Sequence, residues 1–319
     1  MRNNNLDILK VILAFLVVAL HIFPVTKLKG MEGLVSYEIA SGITRIAVPT
    51  FFVISGYFLR NKLEDTPYLW KYAKRILLLY IVWQFIYLPD FIRFYHLGRF
   101  SSFDVTLKLI YGYWHLWYLL ASVLAVGLLY VFRNLSVKIK WSVIILLLFL
   151  GYAFQISFQS GFMHDLNAQF LYQSIGTTRN FVFFAFPMML IGTLYESWKA
   201  TISKIKFLYF SIWIMLLVEV YFYYQNGVKA MDFLLVLPLL SMLTFTVVME
   251  TKPIATLIIN PTLSLGIYLC HPYAIRLVYE FLPQKTLGIT LVKYVLICAL
   301  AIVFWWVLDK VNKHFSYFF

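Results

Sequence analysis

Lys10 and His21 are the first residues whose type and position ask for a reason. Both fall in an apolar run near the start of the chain, spanning roughly residues 6–25, and an ionisable side chain there costs on the order of 2.5–3.5 kcal/mol at the centre of a membrane helix. The eleven residue steps from one to the other, at about 100° each, return the second side chain to within about 20° of the first, about 16 Å further along the axis. A cation near one surface can hold a phosphate or carboxylate, and a neutral imidazole further up can take a proton from an attacking hydroxyl. The plainer alternative has Lys10 reaching headgroups along its aliphatic stem and His21 hydrogen-bonded to a neighbouring helix.

Further constellations follow along the chain. Arg45 precedes Val48-Pro49-Thr50-Phe51-Phe52-Val53-Ile54-Ser55-Gly56-Tyr57, where the proline frees a backbone carbonyl and the small pair Ser55-Gly56 lets another helix or a ligand approach the backbone. Arg45 at a helix start faces either outer headgroups or an anionic substrate. Lys71-Tyr72-Ala73-Lys74-Arg75 is a basic cluster suited to a polyphosphate, and the same cluster also serves topology. Trp114-His115-Leu116-Trp117-Tyr118 opens a span where an aromatic belt is expected, although such faces also bind sugars. Thr178-Arg179-Asn180 opens another span. Ser264 through Tyr268-Leu269-Cys270-His271-Pro272 puts a histidine and a proline in mid-span, either as a kink or as a working group.

What positions these residues is a membrane bundle. Of the 319 residues 62% are hydrophobic and 13% charged, and the mean hydropathy is +0.81, far from the average of soluble domains. Runs of about 20 apolar residues, enough for a hydrocarbon core of roughly 30 Å, recur between short polar breaks. About ten spans are predicted, near 6–25, 43–60, 74–95, 114–132, 141–158, 179–197, 206–224, 231–249, 262–281 and 289–310. The fold class is therefore all-α, a polytopic transmembrane helix bundle, read as a single membrane domain over 1–319 without internal repeats. The first span is read as retained, because no small-residue cleavage site follows Leu20.

Alternate connections differ in charge. One set gathers Arg60, Lys62, Lys71, Lys74, Arg75, Arg133, Lys138, Lys140, Lys199, Lys204, Lys206 and Lys252, with Arg2 at the start and Lys310 and Lys313 at the end. The other set has fewer cations over longer stretches (Lys27, Lys29, Arg93, Arg99, Lys108, Lys229 and Lys285), interspersed with Asp90, Asp104, Asp165 and Asp232. The first set is the cytoplasmic one, which puts both termini in the cytoplasm.

The net charge of +13 needs no nucleic acid, since basic loops beside anionic lipid account for it. Cys270 and Cys298 lie far apart in predicted spans, which argues against a disulfide framework or a zinc site. No bound metal is expected, and with no glycine-rich phosphate loop present an ATP-driven pump is disfavoured.

Together these segments resemble the acyltransferase 3 family of integral membrane acyltransferases, nearly end to end. The family's first helix carries Arg, ten residues, then His, matched here by Lys10 and His21. Its Arg-x-x-VP-x-FF-x-x-SG-[FY] segment is similar to Arg45–Tyr57, its basic pair to Lys74-Arg75 and its HLW[FY] element to His115–Tyr118. Its RNF stretch is similar to Arg179-Asn180-Phe181, and its S-x-x-[IL]YL-x-H element to Ser264–His271. Lys10 departs from the family's arginine, which keeps the charge but loses the planar fork.

The resemblance implies a bacterial plasma-membrane enzyme. It would transfer an acyl group, acetyl above all, from cytoplasmic acyl-CoA to a hydroxyl of an envelope glycan or lipid-linked sugar. On that reading His21, Arg45 and His271 are catalytic, and Lys10, Lys74 and Arg75 bind the donor. Ser55, Tyr57, His115, Trp117, Arg179 and Asn180 bind the acceptor. A homo-oligomer is left open. The chain is especially similar to the membrane domain of the vancomycin-resistance serine racemases, associated with serine uptake, so a carrier for serine or a similar amino acid is the alternative. No racemase segment and no esterase-like segment is read in the sequence.

Overall fold

The computed structural model describes residues 3–159, 179–228, 231–254, 259–282 and 286–315. Arg2, Asp165, Thr178, Lys229 and Lys285 lie outside them. Every regular element among the described residues is helical, in the order α1 (Asn4–Ile22), α2 (Gly30–Ser41), a 3₁₀ turn (Ile43–Ile46), α3 (Ala47–Leu59), α4 (Thr66–His96), α5 (Ser102–Tyr111), α6 (Trp117–Phe132) and α7 (Val137–Gln159). After residue 179 follow a π-turn (Phe181–Ala185), α8 (Phe186–Thr193), α9 (Tyr195–Ile205), a 3₁₀ turn (Lys206–Leu208), α10 (Tyr209–Gln225), α11 (Leu237–Glu250), α12 (Leu263–Phe281) and α13 (Leu287–Phe315).

Polar side chains start these helices at the backbone donors that a first turn leaves unpaired. Asn3 caps α1 by accepting from Asn5 N at 3.0 Å, and Asp65 caps α4 through Tyr68 N at 3.0 Å. Ser101 and Asp104 close a reciprocal capping box on α5. Pro49 stands in the first turn of α3, where a missing N–H leaves no helical bond unmade. It therefore does not free a carbonyl inside a span as expected, but follows a change from 3₁₀ to α.

Six stretches among the described residues are long and apolar enough to cross a bilayer: Asn4–Ile22, Gly30–Leu59, Thr66–His96, Val137–Gln159, Tyr195–Gln225 and Leu287–Lys313. Helices α6 and α11 and the stretch Phe181–Thr193 are apolar but shorter; a 16-residue helix such as α6 extends only about 24 Å at about 1.5 Å per residue. Helix α12 has the length, yet Ser264, His271, Arg276 and Glu280 dilute its apolar character. Each predicted span overlaps helix, although 231–236 precede α11, and α2 and α5 add helices where connections were expected. Large apolar side chains such as Phe149, Phe222, Val295 and Val303 are exposed, a surface suited to lipid rather than water.

The chain forms two compact units, one holding residues up to Val53 and from Glu196 onward, the other Ile54–Tyr195. In the first, α1 packs on α12 and α13 through Ala14, Val18, Ile22, Ile267, Ala274 and Ala301. Small residues bring these backbones close: a Cβ on Gly266 would lie 2.1 Å from Trp305 Cδ1. The start of α1 is tied down by Asn5, whose Nδ2 donates to Thr251 O at 2.8 Å and whose Oδ1 accepts from Ile254 N at 3.1 Å. Lys293 is fully buried on α13, with its ammonium 3.7 Å from the centre of the Tyr279 ring, a favourable contact in a water-poor setting.

In the second unit α6 packs on α4 and on α8. Gly56 of α3 is the closest backbone approach, since a Cβ there would lie 1.9 Å from Met189 O. Only glycine fits. Gln84 of α4 holds the loop before α6 by donating to Lys108 O at 3.0 Å and accepting from Tyr113 N at 3.1 Å.

Candidate functional site

His21 closes the last turn of α1, and its ring stacks on that of His271 with centroids 5.3 Å apart and planes 20° from parallel. The sequence reading singled out both histidines without pairing them. What orients His271 is the proline that follows it. Pro272 has no N–H, so the Tyr268 carbonyl loses the donor that a regular helix would supply four residues on. His271 Nδ1 lies 2.7 Å from that carbonyl. A carbonyl only accepts, so Nδ1 carries a proton, and in the neutral ring Nε2 then keeps the lone pair. The mid-span His-Pro pair is thus a device that fixes one imidazole tautomer inside the bundle, where His271 is fully buried.

Lys10 lies further down α1, with Nζ 2.7 Å from Asp7 Oδ1. The pair is one helical turn apart, a spacing at which opposite charges meet. Asp7 is buried while Lys10 is partly exposed, so the ammonium sits at the open end of the pair. Arg45, on the 3₁₀ turn that packs against α1, donates Nε to Ala40 O at 3.1 Å and pairs through its terminal nitrogen with Asp232 Oδ1. Lys10, His21, Arg45 and His271 all belong to the first unit.

The remaining predicted site residues belong to the second unit. Ser55 hydrogen-bonds with the hydroxyls of Tyr72 and Tyr118, which ties α3 to α4 and α6. The Tyr57 ring meets the edge of Tyr195 at 5.0 Å between centroids. Lys74 and Arg75 are exposed on the first turns of α4. His115 is buried, 5.5 Å from the Tyr87 ring in an edge-on contact, and Trp117 stands edge-on to Phe184 at 6.3 Å. Trp114, just before them, has φ 44°, a left-handed conformation that a bulky side chain rarely adopts.

Asn180 accepts from Val182 N and Phe183 N, both at 2.9 Å, and so caps the π-turn. Arg179 lies close enough to Lys108 to disfavour its charge. Burial foremost, then Arg179, pulls the Lys108 ammonium below its usual range, while Asp104 opposes the shift. Asp104 itself is held below the usual carboxylate range by the Ser101 hydroxyl and backbone N–H.

Three residues were missed as partners. Asp7 was legible, because a carboxylate three positions before a membrane lysine is a standard pairing. Lys293 was legible too, as a cation in a predicted span. Asp232 was not, since its pairing with Arg45 joins positions 187 apart in sequence. Among the described residues no three His, Cys, Asp or Glu side chains converge as a metal site.

An all-helical chain with several membrane-length helices and ionisable groups inside its packing is a multi-pass membrane protein. It belongs to the acyltransferase 3 family: the family's acyltransferase domain matches residues 3–310. Two relatives are an amino-acid racemase of Enterococcus faecalis, 27% identical over 297 residues, and a serine/alanine racemase of Enterococcus gallinarum, 28% identical over 328 residues. The matches cover 88% of this chain and 42% of the first relative, and 95% and 45% for the second. The chain therefore spans less than half the length of these relatives. No solved structure matches.

Proposed function

We propose that this chain transfers an acyl group, acetyl in the first instance, from cytoplasmic acyl-CoA to a hydroxyl of a cell-envelope glycan or lipid-linked sugar. In this reading the bundle crosses the bacterial plasma membrane about ten times, with both termini cytoplasmic. The observation that carries it is the histidine stack: His21 against an imidazole whose tautomer the Pro272 gap fixes. A paired and oriented imidazole in a family of acyltransferases is the group that such a reaction needs.

His21 takes the acceptor's hydroxyl proton as that oxygen bonds to the acyl carbon. Arg45, held in orientation by Ala40 and Asp232, meets the negative charge that gathers on the thioester oxygen. The C–S bond then breaks, and the His21 imidazolium returns its proton to the leaving sulfur. His271 steadies the charged His21 ring from the other side of the stack. Lys10, Lys74 and Arg75 neutralise the donor's phosphates, and Ser55, Tyr57, His115, Trp117, Arg179 and Asn180 shape the acceptor's path. Purified His21→Gln in liposomes is expected to melt like the wild type and to lose about a hundredfold to ten-thousandfold of acyl-CoA-dependent acceptor labelling. Unchanged labelling would end this role for His21.

A second reading is favoured by the relatives, whose names include a serine/alanine racemase: a carrier moving a small zwitterion such as serine without a covalent step. Labelled serine accumulating in the same liposomes without acyl-CoA would decide for it.

A further inference from the structure

The second unit holds a cavity of 230 Å³ lined by Arg60, Glu64, Arg133, Lys140, Thr193 and Leu194 among others. The sequence reading used its three cations only as topology signals. Their geometry is more particular than that role needs. Tyr57-Phe58-Leu59-Arg60 ends α3 and Tyr130-Val131-Phe132-Arg133 ends α6, so each helix closes on Tyr-x-x-Arg. In both, the terminal guanidinium nitrogen donates 2.7 Å to the carbonyl of its own tyrosine. In both, the guanidinium carbon lies over that tyrosine's ring, at 3.9 Å for Arg60 and 3.8 Å for Arg133. Lys140 donates 2.7 Å to Arg133 O.

A guanidinium pinned on a ring face by one nitrogen keeps its planar fork fixed, and it carries more N–H donors than these bonds occupy. The anionic side is thin. Glu64 Oε2 lies 3.4 Å from Arg133 Nε with 77% of the glutamate side chain exposed, and Arg60 has no carboxylate partner among the described residues. Of the other lining residues Asn61 and Glu64 are exposed, and Leu63 and Leu194 are buried. Fixed forks in cationic excess over an apolar floor suit a bidentate oxyanion better than a single point charge.

We propose that this cavity is a phosphate site whose ligand is a phosphate ester, either on the nucleotide part of an acyl donor or in the headgroup of an anionic phospholipid. Its cytoplasmic placement rests on the orientation given above; the phosphate chemistry does not depend on acyl transfer.

The test uses the purified full chain in neutral detergent, with coenzyme A and phosphatidylglycerol as separate probes, read by native mass spectrometry and by the ligand-induced rise in melting temperature. One of the two is expected to bind the wild type and to weaken about tenfold to a hundredfold in Arg133→Gln and in Lys140→Gln. Weakening of coenzyme A assigns the site to the donor, and weakening of phosphatidylglycerol assigns it to the headgroup. Should Arg133→Gln fail to fold, Arg60→Gln decides, because the Arg60 side chain is held by Tyr57 of its own helix. The proposal is overturned if neither probe binds the wild type, or if folded variants bind both probes as the wild type does. A wild type that binds its probe here yet acylates nothing would sink the acyltransferase reading and leave this one standing.

Discussion

In the unit built on α1, the two cations that sequence analysis put near the chemistry each meet a carboxylate: Lys10 on Asp7 and Arg45 on Asp232. In the unit built on α4 and α6, three cations line one cavity whose described lining holds one carboxylate, the mostly exposed Glu64 paired with Arg133. A charge taken from water needs a counter-charge or a ligand. Where the protein supplies the counter-charge, the cation is fixed as part of the framework and its field is spent locally. Where it does not, the field is left for something that arrives. On the proposals above, the first arrangement serves the histidine stack and the second awaits a ligand.

The sharpest way to break this contrast is at Asp232. Asp232→Asn leaves the Arg45 guanidinium, only 11% exposed, without its carboxylate, and removing one member of such a pair typically destabilises by about 3 kcal/mol. Thermal or denaturant unfolding of the detergent-solubilised chain is expected to show that loss. A change below about 1 kcal/mol would mean that Arg45 sees water or lipid headgroups and that the pair is no framework. Next in size is Pro272→Ala, which restores an N–H four residues after the Tyr268 carbonyl and so competes with His271 Nδ1. Unfolding should change little. If the tautomer matters, acyl transfer should fall about tenfold with KM for the donor unchanged, a split that a merely structural proline would not produce.

How far the sequence reaches follows the same division. The helical class and the helix carrying Lys10 and His21 were readable, because apolar run length acts locally. The stack of His21 on His271 was not, since it depends on how α1 meets α12, 250 residues later in the chain. Nor was the Arg45–Asp232 pair, for the same reason. Among the described residues six stretches reach membrane length and α6, α11 and Phe181–Thr193 are apolar but shorter, since composition alone does not show where a helix such as α6 ends. That Asn180 caps the π-turn was not readable either, because the turn it caps carries no local signature in the sequence. The paired Tyr-x-x-Arg ends of α3 and α6 were plain in the sequence, but nothing in one dimension says that they face one cavity.

The smallest effect expected is at Glu64, and it sharpens the comparison from the other side. Its carboxylate is exposed and 3.4 Å from Arg133 Nε, so Glu64→Gln should change unfolding by less than about 1 kcal/mol, against about 3 kcal/mol for the matching change at Asp232. Removing the cavity's negative charge should also tighten whichever phosphate probe binds there by a few-fold, and most at low salt, where the field of an exposed charge is least screened. If Glu64→Gln instead destabilises the chain as much as Asp232→Asn does, the glutamate is a framework partner like Asp232. The cavity's cations would then be spoken for within the protein, and the distinction between the two units would fall with them.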